Sequence, residues 1–184
     1  LVVGIDLGYG RCKVAAPGYR HSFRAVVAEP SIYSESKDLV EWQGSTYLIG
    51  DAALDEPHHR YATQPDKISR PEEFVKYMAA LAMVSDHFDS QHLEVITGLP
   101  PVYYAHPGLK QQLEDRLRGN FRFQYQGRPY DVTVDNAEVD PQAGAAYFDA
   151  ILKDDGTPDP SNSDLLEGST IVIDPGHRTT DICL

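Results

Sequence analysis

A chain of 184 residues that is 41% hydrophobic, 10% aromatic and 24% charged has an ordinary globular composition, enough for one large domain or two small ones. Its 14 glycines and 13 prolines exclude a collagen-like or low-complexity chain, and no apolar run approaches the ~20 residues that span a bilayer. Sixteen basic against 28 acidic residues give a net charge of −12, which repels phosphate backbones and argues against direct nucleic-acid or anionic-membrane binding.

The chain opens on Leu1-Val2-Val3, with neither an initiator Met nor a basic leader, so a trimmed start and no signal peptide are expected. Residues 2–7 (VVGIDL) predict a buried strand, Gly8-Tyr9-Gly10 a turn and Arg11–Ala16 (RCKVAA) a returning strand. Residues 17–70 are polar and turn-rich, with short strands expected at 23–27, 39–43 and 46–49. Adjacent His58 and His59 point apart in an extended segment with no Cys nearby, which argues against zinc. Pro71 opens a helix, Glu72 and Glu73 suiting the positive end of its dipole, and Phe74, Val75, Met78, Leu81, Ala82 and Ser85 recur at helical spacing. Residues 93–98 (LEVITG) predict a buried strand stopped by Leu99-Pro100-Pro101, and Pro107 to Arg118 a helix ended near Gly119.

Phe121–Tyr125 alternates as a half-buried strand does, Gln126-Gly127-Arg128 makes a turn, and 130–134 returns. Pro141 starts another helix, with Ala145, Phe148 and Leu152 as its expected apolar side, Ile151 flanking it and Asp149 on the polar side. The acidic, Pro/Gly/Ser-rich stretch 154–168 predicts a surface loop or linker. Ser169–Asp174 predicts a strand, Pro175-Gly176-His177-Arg178 a turn and Thr179–Leu184 a strand cut short, so a longer parent protein is expected. Two cysteines, Cys12 and Cys183, cannot build a disulfide framework, which points to a reducing, cytoplasmic compartment.

Two of these segments share one design. Val3-Gly4-Ile5-Asp6-Leu7-Gly8-Tyr9-Gly10 and Ile171-Val172-Ile173-Asp174-Pro175-Gly176-His177-Arg178-Thr179-Thr180 each place Asp-x-Gly at the end of an apolar strand, before a small or polar tip and a second strand. The two aspartates are 168 positions apart (174 − 6). A glycine turn can aim consecutive backbone N–H groups at one anion, Gly allowing close approach and positive φ. The Asp beside it can hold the waters of a Mg²⁺ that bridges phosphates. Lys13 can reach a phosphate as a point charge, and Thr179 and Thr180 add hydroxyl donors. Neither segment is a Walker loop or a dinucleotide fingerprint.

The pair resembles the phosphate 1 and phosphate 2 hairpins of the actin, sugar-kinase and heat-shock chaperone superfamily. GIDLGYGRCKVA is similar to actin's first hairpin, and IVIDPGHRTTDICL to the second hairpin of ParM/StbA-type plasmid-segregation actins. Further matches to that branch occur in order between them: Glu29-Pro30-Ser31, residues 47–53 (YLIGDAA), residues 95–100 (VITGLP) and residues 139–145 (VDPQAGA).

The resemblance implies an α/β fold, a ribonuclease-H-like actin-type ATPase domain with a mixed sheet, flanking helices and a small inserted subdomain. It places a first domain over 1–168, with the insertion at about 17–70, and the start of a second at 169–184. It implies that Asp6 and Asp174 hold hydrated Mg²⁺. Gly8, Tyr9, Gly10, Arg11 and Lys13 match the β-phosphate hairpin, and Gly176, His177, Arg178, Thr179 and Thr180 the γ-phosphate hairpin. Gln142 lies where the family positions the attacking water, with Asp140 as the alternative. Pro175 departs from the small or aliphatic residue usual at its position, and His177-Arg178 makes this tip more basic than actin's. The expected function is an ATPase that binds Mg·ATP between the hairpins and polymerises into filaments for plasmid or DNA segregation, with a DNA-binding adaptor as partner. A monomeric ATPase, sugar kinase or chaperone of the same superfamily, or a non-hydrolysing scaffold, are the alternatives. ATP and GTP are not separable from these residues, and half a clamp is expected to bind nucleotide weakly.

Overall fold

The computed structural model describes residues 1–61, 71–106, 108–153, 155–167, 169–176 and 180–183; for Glu72, Asp181 and Cys183 it describes the backbone. The strands are β1 (Val2–Leu7), β2 (Arg11–Ala16), β3 (Tyr19–Arg24), β4 (Val26–Ala28), β5 (Leu39–Trp42), β6 (Ser45–Ile49), β7 (Arg60–Tyr61), β8 (His92–Leu99), β9 (Gly119–Tyr125), β10 (Arg128–Pro141), β11 (Val172–Pro175) and β12 (Thr180–Cys183). The α-helices are α1 (Asp51–Leu54), α2 (Pro71–Phe88), α3 (Pro101–Tyr104), α4 (Leu109–Leu117) and α5 (Gln142–Ile151), and Pro160–Leu166 forms a 3₁₀ helix.

Ten strands form one mixed sheet in the order β3-β2-β1-β8-β10-β9-β5-β6-β4-β7, and β11–β12 form a separate hairpin. Parallel pairing joins β1 to β8 and β8 to β10, while β2 is antiparallel to both β1 and β3. The first five strands in that order are the ribonuclease-H-like arrangement expected. Strand β3 stands at one end of the order and β4 next to the other end, yet Ala25 alone separates them in sequence. The sheet therefore curls round α2, which touches strands from both ends, β2 and β4 among them.

That enclosure explains the burial of α2. Residues 74–82 are buried without a break, whereas the spacing of its apolar residues predicts a one-sided helix. The alanines at 79, 80 and 82 let strands approach on the remaining sides. Lys76 lies inside as well, 1% exposed, and its ammonium forms an ion pair with Glu73, so Glu73 serves that partner besides the helix dipole. Tyr77 donates a hydrogen bond to the Leu117 carbonyl (3.0 Å), and burial pushes its phenol pKa up.

Several expected boundaries move. The strand expected at 23–27 is two strands broken at Ala25, whose N–H donates to the Gly10 carbonyl instead of continuing a ladder (3.0 Å). The strand expected at 130–134 runs on to Pro141. It pairs with β9 up to Val134 and with β8 from Thr133, and a bulge at Asp135 allows the exchange of partners. Pro100-Pro101 starts a short helix, α3, because Pro suits a first helical turn. The next helix begins at Leu109, behind Gly108 with its left-handed φ of 86°.

In α5 the apolar side is misassigned by the sequence pattern: Ala143 and Ile151 are buried, while Ala145 and Phe148 face solvent, Phe148 at 56% exposure. The stretch expected to be a plain loop at 154–168 contains the 3₁₀ helix, capped by the Asp159 carboxylate accepting from the Ser161 N–H (2.9 Å). Strand β11 starts at Val172 and includes Pro175, which pairs with Thr180 rather than turning. Cys12 is buried and makes no disulfide.

Candidate functional site

Burial alternates along β1, β2, β8 and the last part of β10. Val3, Ile5, Leu7, Cys12, Val14, Val95, Leu99, Ala137 and Val139 are buried in the core that encloses α2. The opposite face carries Asp6, Lys13, Gly98 and Asp140. Asp6 pairs with Lys13 across the antiparallel ladder, and Gly98 with Asp140 across the parallel one. Strand β1 pairs Gly4 with Ile96, and continuing that register by two residues brings Asp6 level with Gly98. Lys13, Asp6, Gly98 and Asp140 thus stand abreast over four strands at the carboxyl ends of β1, β8 and β10, where open α/β sheets bind their ligands.

Local contacts fix this row. The Lys13 ammonium lies 3.4 Å from the Asp6 carboxylate, with the two side chains 66% and 30% exposed. Thr97 is buried, and its hydroxyl donates to the Ile5 carbonyl (2.7 Å), clamping β8 to β1 one residue before the row. A Cβ on Gly98 would lie 3.1 Å from the Gln142 Cα and 3.2 Å from its Cβ, so Gln142 rests on the bare glycine backbone as α5 begins. From there α5 spans the open face, and its Asp149 reaches Arg20 of edge strand β3 (3.6 Å).

The tip between β1 and β2 is tight. A Cβ on Gly8 would lie 2.5 Å from the Arg11 carbonyl oxygen, inside any allowed contact. Gly8 does not have a positive φ, so the glycine is required by space rather than by a left-handed backbone. The Gly10 carbonyl is tied to the Ala25 N–H. Tyr9 is half-buried at the tip. Arg11 turns along the ladder instead: its Nε and Nη2 donate to the Ser22 hydroxyl (3.2 and 2.9 Å), and Nη2 also to the Ser22 carbonyl (3.0 Å).

The second hairpin is described in part. Asp174 is half-buried in β11, at the register position opposite Asp181, and Gly176 is exposed. Thr180 opens β12. His177, Arg178 and Thr179 lie outside the described residues. Strand β11 and strand β12 both touch α5, and β12 also touches α3, so the hairpin is held beside the helix that carries Gln142.

Sequence reasoning missed Thr97 and Gly98 as site-shaping residues, although both stand in the TGLP match. It also missed Lys110. The hydrogen bond from its ammonium to the Tyr104 hydroxyl (3.4 Å) raises its pKa most, burial lowers it, and the nearby Glu114 and Asp140 charges add to the rise. Its ion-pair partner is Glu114 on the same helix (3.6 Å), and Asp140 lies within electrostatic reach of this cation. Among the described residues no cluster of three or more His, Cys, Asp or Glu could hold a metal ion directly. No helix of the described residues is long and apolar enough to cross a membrane. A surface groove of about 750 Å³, lined in part by Trp42, Arg122, Phe123 and Tyr130, lies between two hairpins away from Asp6.

A curled mixed sheet with a glycine-tight hairpin beside an aspartate defines an actin-type α/β domain. Among solved structures, the chain superimposes on the AlfA filament bound to AMPPNP with a TM-score of 0.70 at 17% identity, covering 99% of this chain and 63% of that one. AlfA from the B. subtilis plasmid pLS32 gives 0.73 at 16%, with 99% and 65% covered. The apo pSK41 ParM protein gives 0.70 at 13%, with 83% and 52% covered. The chain therefore spans between half and two thirds of the length of these structures. No curated protein matches the sequence. The model of the actin-like protein N-terminal domain matches residues 4–144, and the chain belongs to that family.

Proposed function

We propose that the protein is an ATPase of the actin-like family that binds Mg·ATP between its two hairpins, polymerises with nucleotide and serves plasmid or DNA segregation in the cytoplasm, with a DNA-binding adaptor as partner. The observation that carries the reading is the Gly8 tip, where backbone and the Arg11 carbonyl meet too closely for any side chain, beside the Asp6–Lys13 pair. The AlfA filament bound to AMPPNP and the plasmid origin of AlfA support it by likeness of fold. In this reading residues 1–168 form the first domain, with 17–70 as an insertion, and 169–184 begin the second.

The residues fit the nucleotide. Glycines on either side of Tyr9 keep the tip tight, its Gly8, Tyr9 and Gly10 N–H groups would donate to phosphate oxygens, and Lys13 would supply a compensating charge. They also fit Mg²⁺, which keeps most of its waters and needs one or two carboxylates rather than a full cage. Asp6 and Asp174 would hold it through those waters, and bound there it would neutralise phosphate charge. Gly176, His177, Arg178, Thr179 and Thr180 would cradle the γ-phosphate. Gln142, fixed over Gly98, would orient the attacking water, with Asp140 as the alternative.

Sedimentation of the full-length protein with Mg·ATP and with Mg·ADP tests the reading. The expected result is a pellet with ATP that shrinks with ADP, lost together with phosphate release in Asp174→Ala. No pellet with either nucleotide, or normal turnover in Asp174→Ala, would refute it.

A further inference from the structure

On its edge away from β8, β10 pairs with β9 up to Val134 and then loses that partner, because β9 begins at Gly119 opposite it. Beyond the bulge at Asp135 the strand runs on to Pro141 with α4 against it. Backbone N–H groups alternate between the two edges of a strand, so this stretch presents donors to an edge where β9 no longer runs.

One of those donors is met by a side chain. The Val139 N–H donates to Glu114 Oε1 of α4 (3.2 Å), 25 residues away in sequence. The next residue on the same edge is Pro141, which has no N–H. The Val139 N–H is therefore the last donor on that edge before α5 starts at Gln142. The carboxylate that accepts it is itself held. The Glu114 side chain is 13% exposed, and the same Oε1 lies 3.6 Å from the Lys110 ammonium one turn back on α4. Lys110 in turn donates to the Tyr104 hydroxyl of α3 (3.4 Å). An ionised acceptor also makes the stronger bond to a backbone N–H.

The level of this bond links it to the site. Val139 stands opposite Thr97 in the ladder, and the Thr97 hydroxyl ties β8 to the Ile5 carbonyl of β1. Ile5, Thr97 and Val139 each come one residue before a member of the open-face row, Asp6, Gly98 and Asp140. Two side chains thus brace three strands at one level, Thr97 between β1 and β8 and Glu114 on the outer edge of β10. The outer brace falls three residues (142 − 139) before the glutamine that rests on Gly98.

We propose that Glu114 is a positioning residue for hydrolysis: by holding the Val139 N–H it fixes the end of β10 and, through it, the seat of Gln142 over Gly98. This role rests on the ATPase reading. It acts on the placement of the attacking water and leaves the Gly8 tip and Lys13 untouched, so it bears on turnover rather than on nucleotide affinity.

The test compares two variants of the full-length protein, each assayed well below its own Tm. Glu114→Asp keeps the charge but draws the carboxylate back by one methylene, out of reach of the Val139 N–H. Glu114→Gln keeps the reach and gives up the charge. Steady-state phosphate release should show kcat about tenfold lower in Glu114→Asp with KM for ATP little changed, and near wild type in Glu114→Gln. Hydrogen exchange of segment 137–144, followed without nucleotide, should quicken in Glu114→Asp and not in Glu114→Gln. Wild-type kcat in Glu114→Asp, a raised KM with kcat kept, or an equal loss in Glu114→Gln would overturn the inference. Phosphate release absent from wild type would overturn the ATPase reading instead. The exchange measurement then decides alone: quickened exchange in Glu114→Asp supports the hold of Glu114 on β10, and unchanged exchange refutes it.

Discussion

Replacing Gly8 with alanine isolates the physical demand at the hairpin tip. The new Cβ would begin 2.5 Å from the Arg11 carbonyl oxygen, and ordinary contact starts at 3.4 Å, so the two must part by 0.9 Å (3.4 − 2.5). The obstacle is backbone on a paired strand, not a pliant side chain, so strain of the overpacking kind follows, about 2 kcal/mol within the usual range of 1–3. For a domain of this size that lowers Tm by roughly 4–8 °C. The displaced tip also loses at least one N–H bond to a charged phosphate, ~1.5–3 kcal/mol, which weakens ATP about 10- to 100-fold. Gly18→Ala is the matched control. Its φ of 73° makes alanine strained at a similar cost of about 1–2 kcal/mol, but nothing lies within 4 Å of its Cβ. Thermal unfolding and calorimetric ATP titration of the full-length variants should show comparable losses of Tm, with weakened nucleotide binding in Gly8→Ala alone. A Gly8→Ala Tm within about 1 °C of wild type would refute the close-approach argument. A lowered Tm with unchanged affinity would instead remove the tip from the nucleotide site.

Three further expectations concern other parts of the fold. Gly98→Ala pushes Gln142 outward by a few tenths of an ångström, and steady-state phosphate release should show kcat reduced about tenfold with KM little changed. Lys76→Ala leaves the Glu73 carboxylate, 12% exposed at the edge of the core, without its ion-pair partner, and chemical denaturation should show a loss of about 3 kcal/mol; Lys76→Met with Glu73→Gln should recover most of it. Asp131 accepts hydrogen bonds from Asn120 (2.5 Å) and Arg122 (3.0 Å), which hold its pKa below the ordinary 3.8. A depressed carboxyl pKa stabilises the fold above the unfolded value and loses that effect as pH falls through the folded one. The Tm gap between wild type and Asp131→Asn should therefore be present at neutral pH and close as pH drops below about 3.8.

The sequence carried the hairpins and their aspartates plainly, because an apolar strand ending in Asp-x-Gly is a local pattern. Strands β1 and β2 fall within the residues expected for them. What stayed hidden depends on contacts between distant segments. Nothing around Asp135 announces that one strand will change neighbours there, since β9 and β8 approach it from opposite sides. The enclosure of α2 hides for the same reason: an alanine-rich helix looks amphipathic until strands from before and after it close round it. In α5, Phe148 seemed a core residue by its chemistry, but the start of the helix over Gly98 fixes its rotation and turns Ala143 and Ile151 inward. Gly98 itself sat inside a recognised motif, yet its purpose needs the coordinates of Gln142, 44 positions later (142 − 98).

The way the sheet encircles α2 sets a timetable for the chain as it leaves the ribosome. Strands on one side of the helix precede it, but β9 and β10, which also touch it, end only at Pro141. Between Phe88 and Val134, the last residue of β10 paired with β9, lie 46 positions (134 − 88). At ~5–20 residues per second that is about 2–9 s during which a helix whose middle is destined for burial on every side has only half its walls. The nascent chain is most exposed to aggregation and to chaperone capture in that interval, and slow codons placed between α2 and β10 would lengthen it.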